Sequence, residues 1–140
     1  MKILVAADGS KYSRAAVKYL TDHLDMFGTK PEVHLLHVRP PLPGRAAAAL
    51  GRSVVQRYND EETEKALGAA KRLLQKKGIA FRELQVIGDP GEQIAKHAAR
   101  GRYGLVLMGS HGHGALGSLV LGSAAAKVLA GCKVPALIVR

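Results

Sequence analysis

The stretch that most constrains the fold is residues 105–123, LVLMGSHGHGALGSLVLGS. It begins with an uninterrupted apolar run, residues 105–108, which is typical of a strand in a parallel sheet covered on both faces. A helical run follows at residues 123–130, where the first N–H groups and the helix dipole favour an anion. The loop between them has glycines that can adopt positive φ and that let backbone N–H groups approach a ligand without an intervening Cβ: Gly109, Gly112, Gly114 and Gly117. The order of strand, glycine loop and helix start predicts a phosphate-binding cradle.

Strands and helices alternate along the rest of the chain. Short apolar runs predict further strands at residues 3–7, 32–38, 81–87 and 134–139. A helix is expected to follow the first strand, with Ser10 as its N-cap and an apolar stripe that repeats at intervals of three and four residues from Tyr12 to Phe27. Each strand is therefore separated from the next by enough chain for a crossover.

Two more helices are predicted from apolar residues at helical spacing. The longer one covers residues 53–77 and ends at Gly78, and a shorter one covers residues 90–101. Residues 46–49 are ambiguous between loop and helix. The inner side of the long helix is expected to carry Val55, Tyr58, Ala66, Ala69, Ala70, Leu73 and Leu74.

This alternation predicts an α/β fold, a doubly wound five-stranded parallel sheet with helices on both faces. Placing the first and fourth strands side by side gives the order 3-2-1-4-5. Ligands of such sheets bind beyond the carboxyl ends of the strands, where the winding reverses, so the turn at Asp8 and the loop at Gly109 should face one crevice. The strand at 134–139 is then an apolar edge, and antiparallel pairing with a second copy predicts a homodimer.

Composition limits the class of protein. The chain has 140 residues, enough for a single domain over residues 1–140 with its own core. Its single cysteine, Cys132, excludes an internal disulfide, and no apolar run approaches the roughly 20 residues of a membrane helix. The N-terminal apolar segment is too short for a signal peptide, so we expect a soluble, cytoplasmic protein without a membrane partner.

The charge of the chain is strongly basic. It has 21 Lys and Arg against 11 Asp and Glu, a formal net charge of +10, which would suit nucleic acid or another acidic partner. The basic residues are scattered along helical segments, however, and aromatic residues, at 4%, are too few for a base-stacking platform. We interpret the charge as a solvated surface that attracts anions, and we keep nucleic-acid or acidic-partner binding as an alternative.

Four residues around the glycine loop form a recognisable motif. Gly109, Gly112, Gly122 and Ser123, spaced G-x2-G-x9-G-S, resemble the nucleotide-binding signature of the universal stress protein family, in its ATP-binding type. The similarity extends over the whole chain, from MKILVAADGS through HLLHV to VPALIV. It implies a Rossmann-like fold of the adenine nucleotide alpha hydrolase kind. It also implies ATP with Mg²⁺ as the ligand and a regulatory role in the stress response.

The resemblance further implies which residues contact the nucleotide. Asp8 corresponds to the acidic residue that lines the pocket, although it also fits a turn-forming Asx residue. Val38 corresponds to the position whose backbone pairs with the adenine edge, and Met108 with Gly109 to the ribose contacts. Val38 and Met108 can equally be explained as core residues. The phosphate contacts are Gly112, Gly122, Ser123 and the amides of Ala124 and Ala125, and Ala7 and His111 complete the set.

One position departs from the family pattern. Many relatives carry Lys or Arg after the second motif glycine, whereas this chain has His113. Because histidine is largely uncharged near neutral pH, a weaker and pH-dependent affinity for phosphate is expected. His111 and His113 have no cysteine or carboxylate beside them, so no metal site is expected.

The sequence favours a binding module over a catalyst. It contains no nucleophile paired with a base and no Walker-type lysine. The resembled family includes slow ATPases, self-phosphorylating members and members that only bind. Slow ATP hydrolysis, or phosphate transfer to Ser110 or Ser123, therefore stays an alternative.

Overall fold

The computed structural model describes residues 1–114 and 120–140. The strands are β1 (Lys2–Ala6), β2 (Glu32–Arg39), β3 (Phe81–Ile87), β4 (Leu105–Gly109) and β5 (Ala136–Val139). The helices are α1 (Lys11–Asp22), α2 (Gly44–Leu50), α3 (Arg52–Lys76), α4 (Pro90–Arg100) and α5 (Ser123–Gly131). Gly117, one of the loop glycines considered above, lies outside the described residues.

The five strands form one parallel sheet in the order β3-β2-β1-β4-β5. In the register, Ile3 of β1 lies opposite Val33 of β2 on one side and Leu105 of β4 on the other. This confirms the predicted fold class and strand order. It also brings the carboxyl ends of β1, β2 and β4 together at one edge of the sheet.

Two hydrophobic cores lie on opposite faces of the sheet. Successive side chains of a strand point to opposite faces, so Ile3 and Val5 enter one core while Leu4 and Ala6 enter the other. The first core is closed by buried residues of α1 and α3: Ala16, Val17, Leu20, Leu67, Ala70 and Leu74. The second is closed by buried residues of α4 and α5: Ile94, Ala98, Ala125 and Val128. The helices therefore cover both faces, as a doubly wound sheet requires.

Local signals fix where several helices begin and end. The Ser10 hydroxyl accepts a hydrogen bond from the Ser13 N–H at 3.2 Å, which confirms Ser10 as the N-cap of α1. Asp89 caps α4 in the same way, with its carboxylate 3.1 Å from the Glu92 N–H. Gly78, after α3, has φ +67°, a conformation that favours glycine.

The elements differ from the sequence predictions in three places. The first helix ends at Asp22 and is followed by a separate turn of 3-10 helix at Leu24–Phe27, whose Phe27 enters the core. The ambiguous alanines belong to α2, none of whose residues is buried. β5 begins only at Ala136, after Pro135, which has no N–H to donate to the sheet.

The predicted inner side of α3 is wrong at Tyr58. This side chain is 41% exposed, whereas the neighbouring Asn59 and the following Thr63 are buried. The inner side of α3 is polar over its first half and apolar only from Ala66 onward. Apolar spacing alone therefore selected the wrong face there.

Among the described residues, no helix combines the length and apolarity that a membrane crossing would need.

Candidate functional site

A cleft of about 790 Å³ opens at the carboxyl ends of β1, β2 and β4, beside the start of α5. Its wall includes the turn after β1, the end of β2, the glycine loop and the first turn of α5. The structure places all eleven residues expected to contact a nucleotide in this wall: Ala7, Asp8, Val38, Met108, Gly109, His111, Gly112, Gly122, Ser123, Ala124 and Ala125. Their contact with a nucleotide stays a prediction.

Two of the loop glycines lie where other parts of the protein approach closely. Of the three loop glycines described, Gly114 has positive φ, +74°, and Gly109 and Gly112 do not use this conformational freedom. A Cβ at Gly109 would lie 2.6 Å from the Tyr12 carbonyl carbon, and one at Gly112 would lie 2.9 Å from Asp8 Oδ2. These positions need glycine because no side chain fits between the loop and the β1 turn.

Ser110 joins the three elements that meet at the base of the loop. Its N–H donates to the Val139 carbonyl of β5 at 2.7 Å, and its carbonyl accepts from the Gly122 N–H at 2.7 Å. Its hydroxyl lies 2.8 Å from His111 Nδ1, and the residue is only 1% exposed. Ser110 thus fixes α5 against the ends of β4 and β5. Ser123, the other serine considered as a phosphate acceptor, is exposed at the cleft.

The N-terminus of α5 faces the cleft, and no side chain of the described residues caps it. Its N-cap is Gly122, which has no side chain to accept from the first amides, and the Ala126 N–H already bonds the Gly122 carbonyl at 2.9 Å. The first turn carries no acidic residue. An α-helix has no internal acceptor for its first N–H groups, here those of Ser123, Ala124 and Ala125. They are therefore available, with the positive end of the helix dipole, to an anion in the cleft.

Asp8 forms the turn that closes the cleft opposite the glycine loop. Its Oδ1 accepts from the Ser10 N–H at 2.9 Å, so the Asx turn is present and leaves Oδ2 near Gly112. Burial raises the pKa of the Asp8 carboxyl. Hydrogen bonds from Ser10 and Ser13 and the charge of His113 outweigh burial and hold the pKa below its ordinary value. The side chain is therefore an ionised carboxylate at neutral pH.

Two histidines hold the backbone of this turn. His37 Nδ1 donates to the Ala7 carbonyl at 3.0 Å, and His113 Nε2 donates to the Asp8 carbonyl at 2.7 Å. His37 is buried in β2, whereas His113 comes from the exposed glycine loop. His113 therefore ties the glycine loop to the turn that follows β1.

The cleft also contains residues that sequence reasoning missed. The most unusual is Arg39, the last residue of β2, which is only 6% exposed. Several others come from the two helices beside the carboxyl ends of the strands: Glu62 and Lys65 of α3, and Pro90 and Ile94 of α4. Helical spacing predicted both helices but not how far each extends over the sheet. Within the described ranges, no three His, Cys, Asp or Glu side chains converge as a metal site.

The sequence matches a known family along its whole length. The model described as "Universal stress protein family" matches residues 1–140. Universal stress protein MJ0577 of Methanocaldococcus jannaschii is 30% identical over 156 residues, a match that covers 99% of this chain and 94% of the relative. The solved structure of MJ0577 superimposes with a TM-score of 0.81 at 28% identity, covering 99% of this chain and 94% of that one.

Two solved structures of nucleotide complexes have the same fold. A universal stress protein in complex with cAMP superimposes with a TM-score of 0.72 at 23% identity, covering 100% of this chain and 97% of that one. The universal stress protein from Archaeoglobus fulgidus in complex with dAMP superimposes with a TM-score of 0.70 at 19% identity, covering 100% of this chain and 98% of that one. With a family model matched from the first residue to the last and a near full-length relative at 30% identity, the chain belongs to the universal stress protein family.

Proposed function

We propose that the chain binds ATP together with Mg²⁺ in the cleft and acts as an ATP-dependent regulatory module in the stress response. The observation that carries the proposal is the N-terminus of α5, which no described side chain caps and which opens beside glycines where an added Cβ would crowd Tyr12, Asp8 or His111. Backbone N–H groups that converge in this way suit phosphate oxygens. The net charge of +10 adds a general attraction for a polyanion.

The cleft also has an apolar part of its wall that suits a nucleobase. Val38 and Met108 supply buried apolar surface at the ends of β2 and β4, and Pro90 and Ile94 of α4 face the same space. A cleft of about 790 Å³ lies within the size range of small-molecule sites. The relatives crystallised with cAMP and dAMP support an adenine nucleotide as the class of ligand.

Asp8 is the residue that would hold the Mg²⁺. Magnesium in nucleotide sites is usually held by one or two carboxylates together with the phosphates of the ligand, because it keeps several of its waters. Asp8 has a carboxylate with a lowered pKa beside Gly112, the second glycine of the motif. The ion would reduce the repulsion between this carboxylate and the phosphates.

ATP is expected to raise the melting temperature of the purified protein. A ligand that binds only the folded state stabilises it by about 2.7 kcal/mol at a concentration 100 times its Kd. We expect the melting temperature to increase with the logarithm of the ATP concentration and to increase further when Mg²⁺ is present. Differential scanning fluorimetry, with mass spectrometry of small molecules released on denaturation, measures this. A melting temperature that is unchanged at millimolar ATP would contradict the proposal.

We also propose that the chain forms a homodimer through β5. This strand is a sheet edge, and all four of its residues, Ala136–Val139, are only partly buried in the isolated chain. An apolar edge strand exposes unpaired backbone groups, and pairing with the same strand of a second copy would cover them symmetrically. Light scattering at micromolar concentration should give twice the 14.8 kDa chain mass, and a monomer mass would exclude the dimer.

A further inference from the structure

Arg39 carries a buried charge that the fold does not neutralise. It is 6% exposed, yet none of the ion pairs formed by residues 1–114 and 120–140 includes it. Its Nη1 donates to the Pro40 carbonyl at 3.2 Å, and its Cζ lies 6.0 Å from the Tyr58 ring centroid. Its Nε is fully buried and has no hydrogen-bond partner among those residues.

This arrangement is costly for the protein alone. Charged side chains are rarely buried unless they are paired, and a buried donor without an acceptor loses its hydration without compensation. Other buried polar side chains of the sheet are paired: His34 contacts Glu32 and Tyr103, and His37 donates to Ala7. Arg39 and His37 both line the cleft, but His37 has a hydrogen-bond partner within the fold for its Nδ1, whereas Arg39 Nε has none among the described residues.

The position of Arg39 separates it from the phosphate cradle. Arg39 ends β2, the cradle lies at the end of β4, and β1 lies between them. The ends of β2 and β4 are therefore two strand spacings apart, a distance of roughly 10 Å. A nucleotide with its phosphates at α5 would therefore present its base, rather than its phosphates, to Arg39.

We propose that Arg39 is a specificity-determining residue, which turns its guanidinium into the cleft and donates to an acceptor atom of the bound nucleobase. This rotation of the Arg39 side chain breaks its one hydrogen bond, to the Pro40 carbonyl, and moves Nε out of a position where it has no hydrogen-bond partner among the described residues. The inference rests on the proposed nucleotide binding and names the side chain that reads the base. Because a guanidinium has only donors, its target is a ring nitrogen or a carbonyl oxygen.

The test compares two ligands and three variants by isothermal titration calorimetry. ATP has the base, and inorganic triphosphate has only the anionic part. Arg39→Met removes the guanidinium, and Arg39→Lys keeps the charge but replaces the Nε donor with carbon. Arg57→Met is the matched control, because Arg57 is exposed on α3 and lies outside the cleft wall.

Loss of a hydrogen bond from a charged donor should weaken ATP binding about tenfold or more in both Arg39 variants. Triphosphate binding should stay within about twofold of wild type in all three variants. Arg57→Met should bind ATP like wild type. We also expect the ligand-free Arg39→Met protein to melt no lower than wild type, because the variant removes an unpaired buried charge.

A second measurement follows the side chain directly. In ¹⁵N-labelled wild-type protein, the Arg39 Nε–H resonance should shift and exchange more slowly with solvent when ATP is added, and it should not respond to triphosphate. This readout does not depend on whether a variant folds.

The remaining outcomes overturn the proposal in distinguishable ways. Unchanged ATP affinity in both Arg39 variants excludes the contact. Equal losses for ATP and triphosphate show a general charge effect instead of base recognition. A lower melting temperature with an unresponsive Nε–H signal shows a structural role. Failure of wild type to bind ATP at all contradicts the proposed function, independently of Arg39.

Discussion

The Ser123→Asp variant is expected to bind ATP about 30-fold more weakly than wild type while melting no lower. Ser123 is the first residue of α5, is exposed, and lines the cleft, so a carboxylate there would face the proposed phosphate site. Two like charges about 4 Å apart repel by roughly 4 kcal/mol near a protein surface, and exposure to solvent reduces this to about half. The first turn of α5 has no acidic residue, and adding one should stabilise the helix by about 0.5 kcal/mol. Calorimetry and thermal melting measure the two effects separately.

Two controls isolate the charge at Ser123. Ser123→Asn has nearly the same size as the aspartate variant and no charge, so it should retain most of the affinity. Ala126→Asp adds the same charge to the same helix at an exposed residue outside the cleft wall, and it should reduce ATP affinity only a few-fold. If Ser123→Asp bound ATP as well as wild type, the phosphates could not lie at the start of α5.

The Gly109→Ala variant is expected to lose about 3 kcal/mol of unfolding free energy, equivalent to a melting temperature about 10 °C lower. The added Cβ would lie 2.6 Å from the Tyr12 carbonyl carbon and 2.8 Å from its oxygen. Neither the end of β4 nor the first turn of α1 can move easily to make room for the added Cβ. Gly109 lies in β4 between β1 and β5, and Tyr12 lies in the first turn of α1, which Ser10 caps. Urea unfolding measures the change.

Gly131→Ala is the matched control for the Gly109 variant. Gly131 is the last residue of α5, its φ is not positive, and an added Cβ would have no heavy atom within 4 Å. The substitution should therefore be neutral or stabilise the protein by about 0.5 kcal/mol. A Gly109→Ala protein as stable as the Gly131→Ala protein would show that the β4 end is not packed against α1 in this way.

The sheet and the place of the cleft could be predicted because they depend on long, regular patterns. The apolar runs of β1, β4 and β5 are continuous, and although polar residues interrupt β2 and β3, crossover connections allow few strand orders. Once β1 and β4 are neighbours, Asp8 and Gly109 must share one edge of the sheet. Matching the family motif then required only the residues of the glycine loop and the start of α5.

The parts that could not be predicted depend on contacts between elements distant in sequence. The need for glycine at positions 109 and 112 comes from Tyr12 and Asp8, about 100 residues earlier, and not from a special φ. The inner side of α3 starts with Asn59 and Thr63, whose Oγ1 accepts a hydrogen bond from Gln85 of β3, so no apolar spacing marks it. Arg39 is the last residue of β2, and only the packing of α3 beside it shows that its charge is buried.

The cradle at the start of α5 is built from main-chain atoms, which every residue type possesses. Truncating side chains there would leave the amide donors in place, so alanine scanning of the helix start would find little. The cradle is lost when atoms are added, because bulk at Gly109, Gly112 or Gly122 fills space already taken by Tyr12, Asp8 or His111. A protein with this design can change most of its sequence and keep the cradle, provided that these few positions stay small.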